Sequence, residues 1–133
     1  MDQTVRVVQA SPALWFAIPH LTKKMEEVSL GRFLQEDMYE MIVRGVFQFW
    51  TIWDNDPKIT GAILTEIARY PRRTVLTIPF AAGVGLKQWP VAAEVLEDFG
   101  RKSGCQELEG WGKKGWGKVL DWEVPYYGLR KVL

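Results

Sequence analysis

Residues 74–111 decide the fold, and they read TVLTIPF (74–80), AAGVGLKQ (81–88), WPVAAEVLEDFGRKSG (89–104) and CQELEGW (105–111). The first segment is apolar and β-branched, which predicts a mostly buried strand. The second carries two glycines and predicts a loop, the third predicts an amphipathic helix, and the fourth predicts another strand. A strand–helix–strand unit of this length favours a right-handed crossover between neighbouring parallel strands.

The helix of this unit has the clearest pattern in the chain. Pro90 fits its first turn, and apolar residues then recur at helical spacing. They are Ala92, Val95, Leu96 and Phe99. Acidic residues precede basic ones by four positions in the surface pairs Glu97–Arg101 and Asp98–Lys102, which is the favourable order. We therefore predict a helix from about Pro90 to Ser103 that buries Leu96 and Phe99 against the sheet.

Composition indicates one ordinary globular domain spanning residues 1–133. The chain is 47% hydrophobic and 25% charged, and its net charge of +1 argues against a protein that grips nucleic acid electrostatically. A single cysteine excludes an internal disulfide and a cysteine zinc site, and indicates a reducing compartment. No apolar run approaches the length of a membrane span, and Met1–Gln3 does not open a signal peptide. We therefore expect no metal and no membrane partner.

The segment before this unit predicts a strand, two helices and a hairpin. Ser11-Pro12 starts a helix that Pro19 should kink or split. Ser29 can cap a second helix, with Leu30, Phe33, Leu34, Met38, Met41 and Ile42 as its apolar face and Gly45 at its end. The remaining predicted elements are a first strand over Thr4–Gln9 and a hairpin formed by Val46–Trp53 and Lys58–Tyr70.

Two further features concern the strands after the hairpin. Pro79 cannot donate a hydrogen bond to a neighbouring strand, so pairing should falter there in a bulge or splay. After Trp111 we expect a short helix around Lys114–Leu120 and one or two short closing strands over Trp122–Tyr127 and Leu129–Leu133. The resulting order is β-α-α-β-β-β-α-β-α-β, a mixed α/β (α+β) fold with helices on both faces of a central sheet.

This order resembles the GNAT superfamily of N-acetyltransferases over nearly the whole chain. The resemblance includes GAILTEI (61–67) in the third strand, the glycine loop before the main helix, and SGCQELE (103–109) after it. More narrowly, PRRTVLTI (71–78), the Gly-Cys pair before the fifth strand, and Gly115-Trp116 followed by Lys118-Val119-Leu120 resemble small GNAT-like proteins of tailed bacteriophages. The resemblance implies a single GNAT-like domain.

The resemblance also implies where a cofactor would bind. In the superfamily, a Q/R-x-x-G-x-G/A loop presents backbone N–H groups to the pyrophosphate of acetyl-CoA, at a helix N-terminus. Gly83, Val84 and Gly85 match this loop, whereas Phe80 stands where Gln or Arg is expected. Residues 86–89 look like about one extra turn of loop, which at roughly 1.5 Å of rise per residue would displace the helix N-terminus by about 6 Å. The sequence therefore predicts that acetyl-CoA binds weakly or not at all.

Catalytic residues are less well matched. Superfamily members commonly use a tyrosine after the fifth strand as general acid, and a carboxylate on the fourth or fifth strand as general base. The short segment after Trp111 contains no tyrosine until Tyr126 and Tyr127, which do not match the motif. Glu107 and Glu109 are the candidate bases, and alternation along their strand equally places them on a solvated face.

Two functions follow from the resemblance. The first is a GNAT-like bacteriophage protein without efficient catalysis, which needs no cofactor and binds other phage proteins in the host bacterial cytoplasm or the virion. The chain is tryptophan-rich, and Trp111 and Trp116 lie among glycines that offer little cover, so either indole is a candidate for a protein contact or for packing under the sheet edge. The alternative is an active acyl-CoA-dependent N-acetyltransferase that uses acetyl-CoA.

Overall fold

A computed structural model describes residues 5–54, 58–112, 116–125 and 129–133. Within these residues the chain forms a five-stranded sheet in the order β1-β2-β3-β4-β5. The strands are β1 (Arg6–Gln9), β2 (Phe47–Trp53), β3 (Ile59–Arg69), β4 (Thr74–Ala82) and β5 (Glu107–Gly110). The helices are a 3-10 helix (Pro12–Ala17), α1 (Pro19–Val28), α2 (Gln35–Val43), α3 (Trp89–Lys102) and α4 (Trp116–Leu120). The mixed α/β fold class predicted from the sequence is confirmed.

The strand–helix–strand unit folds as predicted. Strands β4 and β5 are parallel neighbours, whereas the other neighbouring pairs are antiparallel. Helix α3 crosses one face between them, and Leu96 is fully buried. Phe99 is only half-buried, and its ring makes an edge contact with that of Trp50, with 5.0 Å between ring centroids. The predicted ion pairs of α3 both form, but on exposed side chains, where such pairs add little stability.

The sheet has an apolar core on each face. One core lies against α3 and contains β-sheet residues such as Trp50, Ile63 and Leu76. The other lies against the 3-10 helix, α1 and α2, and contains Trp15, Met25, Met38 and further buried residues. The central strands β2, β3 and β4 therefore place buried side chains on both faces of the sheet. Within the part of the chain that is described, no helix is both long enough and apolar enough to cross a membrane.

The segment between α1 and α2 differs from the sequence prediction. Pro19 splits the first helical stretch as expected, but Ser29 closes α1 instead of capping α2. Its N–H and hydroxyl both donate to the carbonyl oxygen of Glu26, at 3.1 and 2.8 Å. Leu30 then adopts a φ of 61°, so the helical path stops and α2 begins only at Gln35. As a result, Leu30 and Leu34 are 56% and 53% exposed and do not join the predicted apolar face.

The predicted closing strands are not formed in the described residues. Residues 121–125 and 129–133 are in neither helix nor strand, and residues 126–128 lie outside the described part. Pro125 cannot donate to a strand partner, and Leu129, Val132 and Leu133 are exposed, so no buried face favours a strand there. Helix α4 agrees with its prediction over residues 116–120, and residues 113–115 lie outside the described part.

Candidate functional site

The site is organised by a bulge in β4 at Pro79. Leu64 pairs with Phe80 whereas Glu66 pairs with Thr77, so two residues of β4 lie opposite Thr65 alone. This confirms the interruption expected from the missing N–H of Pro79. The extra residue reverses which face the following side chains occupy. Phe80 consequently packs on the α1/α2 face, with its ring centroid 5.4 Å from that of Phe33.

Strands β4 and β5 separate next to this bulge. Their last pair is Ile78 with Gly110, although β4 continues to Ala82. Beyond Ile78, the described residues place no strand against the side of β4 that faces away from β3. Backbone groups on such an edge can hydrogen-bond an amide-containing ligand. The indole of Trp122 belongs to the adjacent core and lies near Gly110.

The two glycines of the loop after β4 have different roles. Gly83 has a φ of 71°, and a Cβ added there would overlap the carbonyl oxygen of Thr60 and lie 2.8 Å from Cδ2 of Leu21. Gly83 is therefore required for the loop to pack on β3. A Cβ added at Gly85 would meet only Oε1 of Gln88, at 3.6 Å. Of the two, Gly85 is the one that borders open space.

We expect Gly83→Ala to lower the free energy of unfolding by about 2–5 kcal/mol, because left-handed backbone and overpacking each carry a cost. Gly85→Ala, the matched control, should change it by less than about 0.5 kcal/mol. Urea unfolding of both variants measures the difference. Equal stability of the two variants would contradict the assignment of Gly83 to packing.

Residues 86–89 form the extra turn expected from the sequence, and the backbone hydrogen bonds of this turn have the spacing of a helix. The carbonyl oxygen of Gly85 accepts hydrogen bonds from the N–H groups of Gln88 and Trp89, at 3.1 and 3.0 Å. Gln88 has helical dihedral angles and accepts from Ala92 as the chain enters α3. The helical path thus starts next to Gly85, and Pro90 removes only one bond from it. Helix α3 itself begins at Trp89, about one turn after Gly85 as the sequence predicts, and the hydrogen-bonded turn joins the two.

A surface cleft of about 350 Å³ lies beside this turn, lined by Val5, Asp54, Gly83, Gly85, Leu86, Lys87 and Gln88. The N–H groups of Leu86 and Lys87 bond no acceptor in the described part of the chain, as is normal for the first residues of a helical turn. Such amides favour an anion, and the exposed Lys87 adds a positive charge. Asp54 opposes it with one negative charge. The cleft is suited to an anion held mainly by backbone amides.

The two candidate bases occupy different places on β5. Glu107 pairs with Val75 at the start of the strand, is exposed, and forms an ion pair with Arg73 at 3.7 Å. Glu109 pairs with Thr77, one position before the two strands separate, and is half-buried. Leu108 packs on the α3 side, so both glutamates lie on the α1/α2 face. Glu109 is the candidate beside the gap between β4 and β5.

Of the two candidate interaction residues, the structure describes the side chain of Trp111. Trp111 follows β5 directly and is 61% exposed, so its indole does not pack under the sheet edge, and its role in a protein contact stays a prediction. Trp116 begins α4, and its side chain lies outside the described part of the structure. Trp111 thus lies at the end of the sheet where β4 and β5 separate.

Cys105 lies outside the cleft, just before β5. Its thiol is half-buried, and burial raises its pKa above the usual value despite the nearby charge of Arg69. The thiol is therefore protonated at neutral pH and a poor nucleophile. Among the described residues, no group of His, Cys, Asp and Glu side chains is arranged to hold a metal ion.

Sequence reasoning missed all three polar or charged side chains that line the cleft, which are Asp54, Lys87 and Gln88. Gln88 had a local signal, because a glutamine three residues after a helix-capping position often bonds back to it. Asp54 had none, since it comes from the distant β2–β3 hairpin. Its place beside the glycine loop depends on the tertiary fold.

Comparison with solved structures identifies the fold. A probable acetyltransferase superposes with a TM-score of 0.73 and 10% identity, covering 96% of this chain and 97% of that one. A Trypanosoma brucei acetyltransferase superposes with a TM-score of 0.68 and 16% identity, covering 99% of this chain and 100% of that one. An aminoglycoside acetyltransferase from an uncultured soil metagenomic sample superposes with a TM-score of 0.67 and 14% identity, covering 97% of this chain and 96% of that one. No protein-family model and no curated protein matches the sequence. At these identities the likeness concerns the fold alone, and that fold is the GNAT acetyltransferase fold.

Proposed function

We propose that this protein binds acetyl-CoA, or a related acyl-CoA, at the glycine loop and transfers the acyl group to an amine. The observation that carries the proposal is the helical turn that begins directly after Gly85. Leu86 and Lys87 line the cleft and their amides bond no acceptor among the described residues, so a pyrophosphate in the cleft could accept their hydrogen bonds. The edge of β4 beyond Ile78, which no described strand covers, directly precedes the glycine loop and suits the amide-bearing arm of the cofactor.

The chemistry assigned to this site is acyl transfer from a thioester. The amine nitrogen attacks the thioester carbonyl carbon, the carbon–sulfur bond breaks, and CoA leaves as a thiolate. The amine gives up a proton, and Glu109 is the proposed acceptor, directly or through water, because of its place beside the gap between β4 and β5. Helix α4 contains no tyrosine that could protonate the thiolate, and in this proposal the proton comes from solvent. Turnover should therefore be slow.

Acetyl transfer is the test of this function. The protein is incubated with acetyl-CoA and a panel of amines that includes a lysine peptide, a polyamine and an aminoglycoside, and products are detected by mass spectrometry. The expected result is an acetylated amine that forms only when protein and acetyl-CoA are both present. If no amine is acetylated while acetyl-CoA is shown to bind, the transfer part of the proposal fails and the binding part stands.

A second candidate function is favoured by the exposure of Trp111. A tryptophan exposed to this degree next to a strand end is a suitable anchor for a partner protein. The resemblance to bacteriophage GNAT-like proteins would place that partner among phage proteins and the chain in or near a virion. In this function the GNAT fold serves as a scaffold without efficient catalysis.

For this second function we expect Trp111→Ala to stay folded but to weaken partner binding at least about thirtyfold, the size of an interface hot spot. The melting temperature should be nearly unchanged, because the side chain is mostly exposed. Recovery of the variant with purified particles measures the effect, and Val43→Ala, at another exposed position, is the control. Normal recovery of a folded Trp111→Ala protein would remove Trp111 as the anchor.

A further inference from the structure

Gln88 is hydrogen-bonded to three different parts of the chain. Its Oε1 accepts from the N–H of Gly85 at 2.8 Å. Its Nε2 donates to Oδ2 of Asp54 and to Oγ1 of Thr60, both at 3.2 Å. The side chain therefore links the glycine loop to the residue after β2 and to β3. One amide group uses both of its N–H donors and its carbonyl acceptor in this junction.

The orientation of this amide is determined by its neighbours. The Gly85 N–H can only donate, and the Asp54 carboxylate can only accept while ionised. Turning the amide over would place N–H against N–H on one side and oxygen against oxygen on the other. The junction therefore has a defined polarity, running from the Gly85 N–H through the Gln88 amide to the Asp54 carboxylate.

From this junction we infer that Gln88 is a positioning residue, which holds the glycine loop in the conformation that binds the anion. Gly85 caps the helical turn and Gln88 is its third residue, so the bond between them fixes the turn that carries the Leu86 and Lys87 amides. The bonds to Asp54 and Thr60 fix that turn to the sheet. The inference deepens the proposed function and depends on it for the ligand. Preorganisation of this kind raises affinity by lowering the ordering cost of binding.

The opposite role would be a gate, in which the ligand displaces Gln88 to reach the Gly85 amide. The two roles predict opposite effects of removing the side chain. For a positioning residue, Gln88→Ala should weaken CoA binding about tenfold, the effect of losing about one net hydrogen bond from a binding loop. Tighter or unchanged binding in calorimetry would overturn the inference.

A second pair of variants reverses the hydrogen bond between residues 88 and 54 and leaves the bond from the Gly85 N–H unchanged in direction. Gln88→Glu alone keeps an acceptor for Gly85 but places a second carboxylate against Asp54, so it should also weaken CoA binding. Adding Asp54→Asn puts an N–H donor on the other side and restores the net charge of the pair. The double variant should bind CoA within about threefold of the parent, since the pattern of hydrogen bonds is recovered. A double variant as weak as the single one would count against the junction.

A measurement without ligand separates this inference from the proposed function. In the free protein, the Gly85 amide proton should exchange with water more slowly than that of Leu86, which has no acceptor among the described residues. Gln88→Ala should raise the Gly85 rate about tenfold, a loss of roughly one hydrogen bond, and leave Leu86 unchanged. If the parent binds no CoA, the proposed function fails, and this exchange result still decides whether Gln88 holds the loop. Equal rates for Gly85 in parent and variant would overturn the inference.

Discussion

Glu109→Gln is expected to lower kcat for acetyl transfer by about 10²–10⁴-fold, the usual contribution of a general base. Glutamine is nearly isosteric but cannot accept the amine proton. KM for acetyl-CoA should stay within a few-fold of the parent value, because Glu109 lies on β5 and does not line the cleft at the glycine loop. Steady-state kinetics with the best amine of the panel measure both quantities.

Glu107→Gln is the matched control for this experiment. It makes the same chemical change on the same strand, two residues away and at the far end from the gap. Glu107 is exposed and paired with Arg73, and such surface pairs contribute little. We expect its activity to equal that of the parent. Equal losses in the two variants, or no loss in either, would show that Glu109 is not the base.

The second large effect is expected for Gly85→Glu, which should weaken acyl-CoA binding by at least about a hundredfold, through bulk and through like-charge repulsion. The new carboxylate would enter the cleft in front of the Leu86 and Lys87 amides and add to the negative charge of Asp54. Gly85→Ala is the control, since a Cβ alone meets only Gln88.

Calorimetric titration with CoA of the two variants and the parent checks this prediction. The expected order of affinity is parent, then Gly85→Ala within a few-fold, then Gly85→Glu with no measurable heat. If Gly85→Glu binds as tightly as Gly85→Ala, the anion lies elsewhere and the glycine loop is not its site. A thermal melt of each protein shows whether the variants remain folded.

The unit from β4 to β5 could be predicted from sequence because its signals are local. The apolar spacing in α3 marks the buried stripe with Leu96 at its centre, and the missing N–H of Pro79 marks the bulge. The first signal is a pattern along one helix and the second is the covalent chemistry of one residue, so neither depends on the tertiary fold. The prediction failed at Ser29, where the competing signal was the left-handed turn at Leu30, which a non-glycine residue rarely adopts.

The site could be predicted only in part, for a physical reason. The glycine loop is visible as a motif. Whether residues 86–89 form an open loop or a hydrogen-bonded turn depends on bonds from Gln88 and Trp89 to the Gly85 carbonyl, which the sequence does not reveal. The junction at Gln88 joins residues 34 positions apart, and only the fold brings them together. Charge in the cleft, set by Asp54 and Lys87, is likewise a product of tertiary structure.

The most direct test of the central claim is to titrate the unmodified protein with acetyl-CoA. Calorimetry measures the heat of binding, and the backbone amide resonances show which residues change. Binding is expected with a micromolar dissociation constant, and the largest shifts should fall on residues 84–87. At a hundredfold excess over the dissociation constant, acetyl-CoA should raise the free energy of unfolding by about 2.7 kcal/mol. No heat, no shift and no stabilisation at millimolar acetyl-CoA would contradict the account and leave the protein-binding function, anchored on Trp111, in its place.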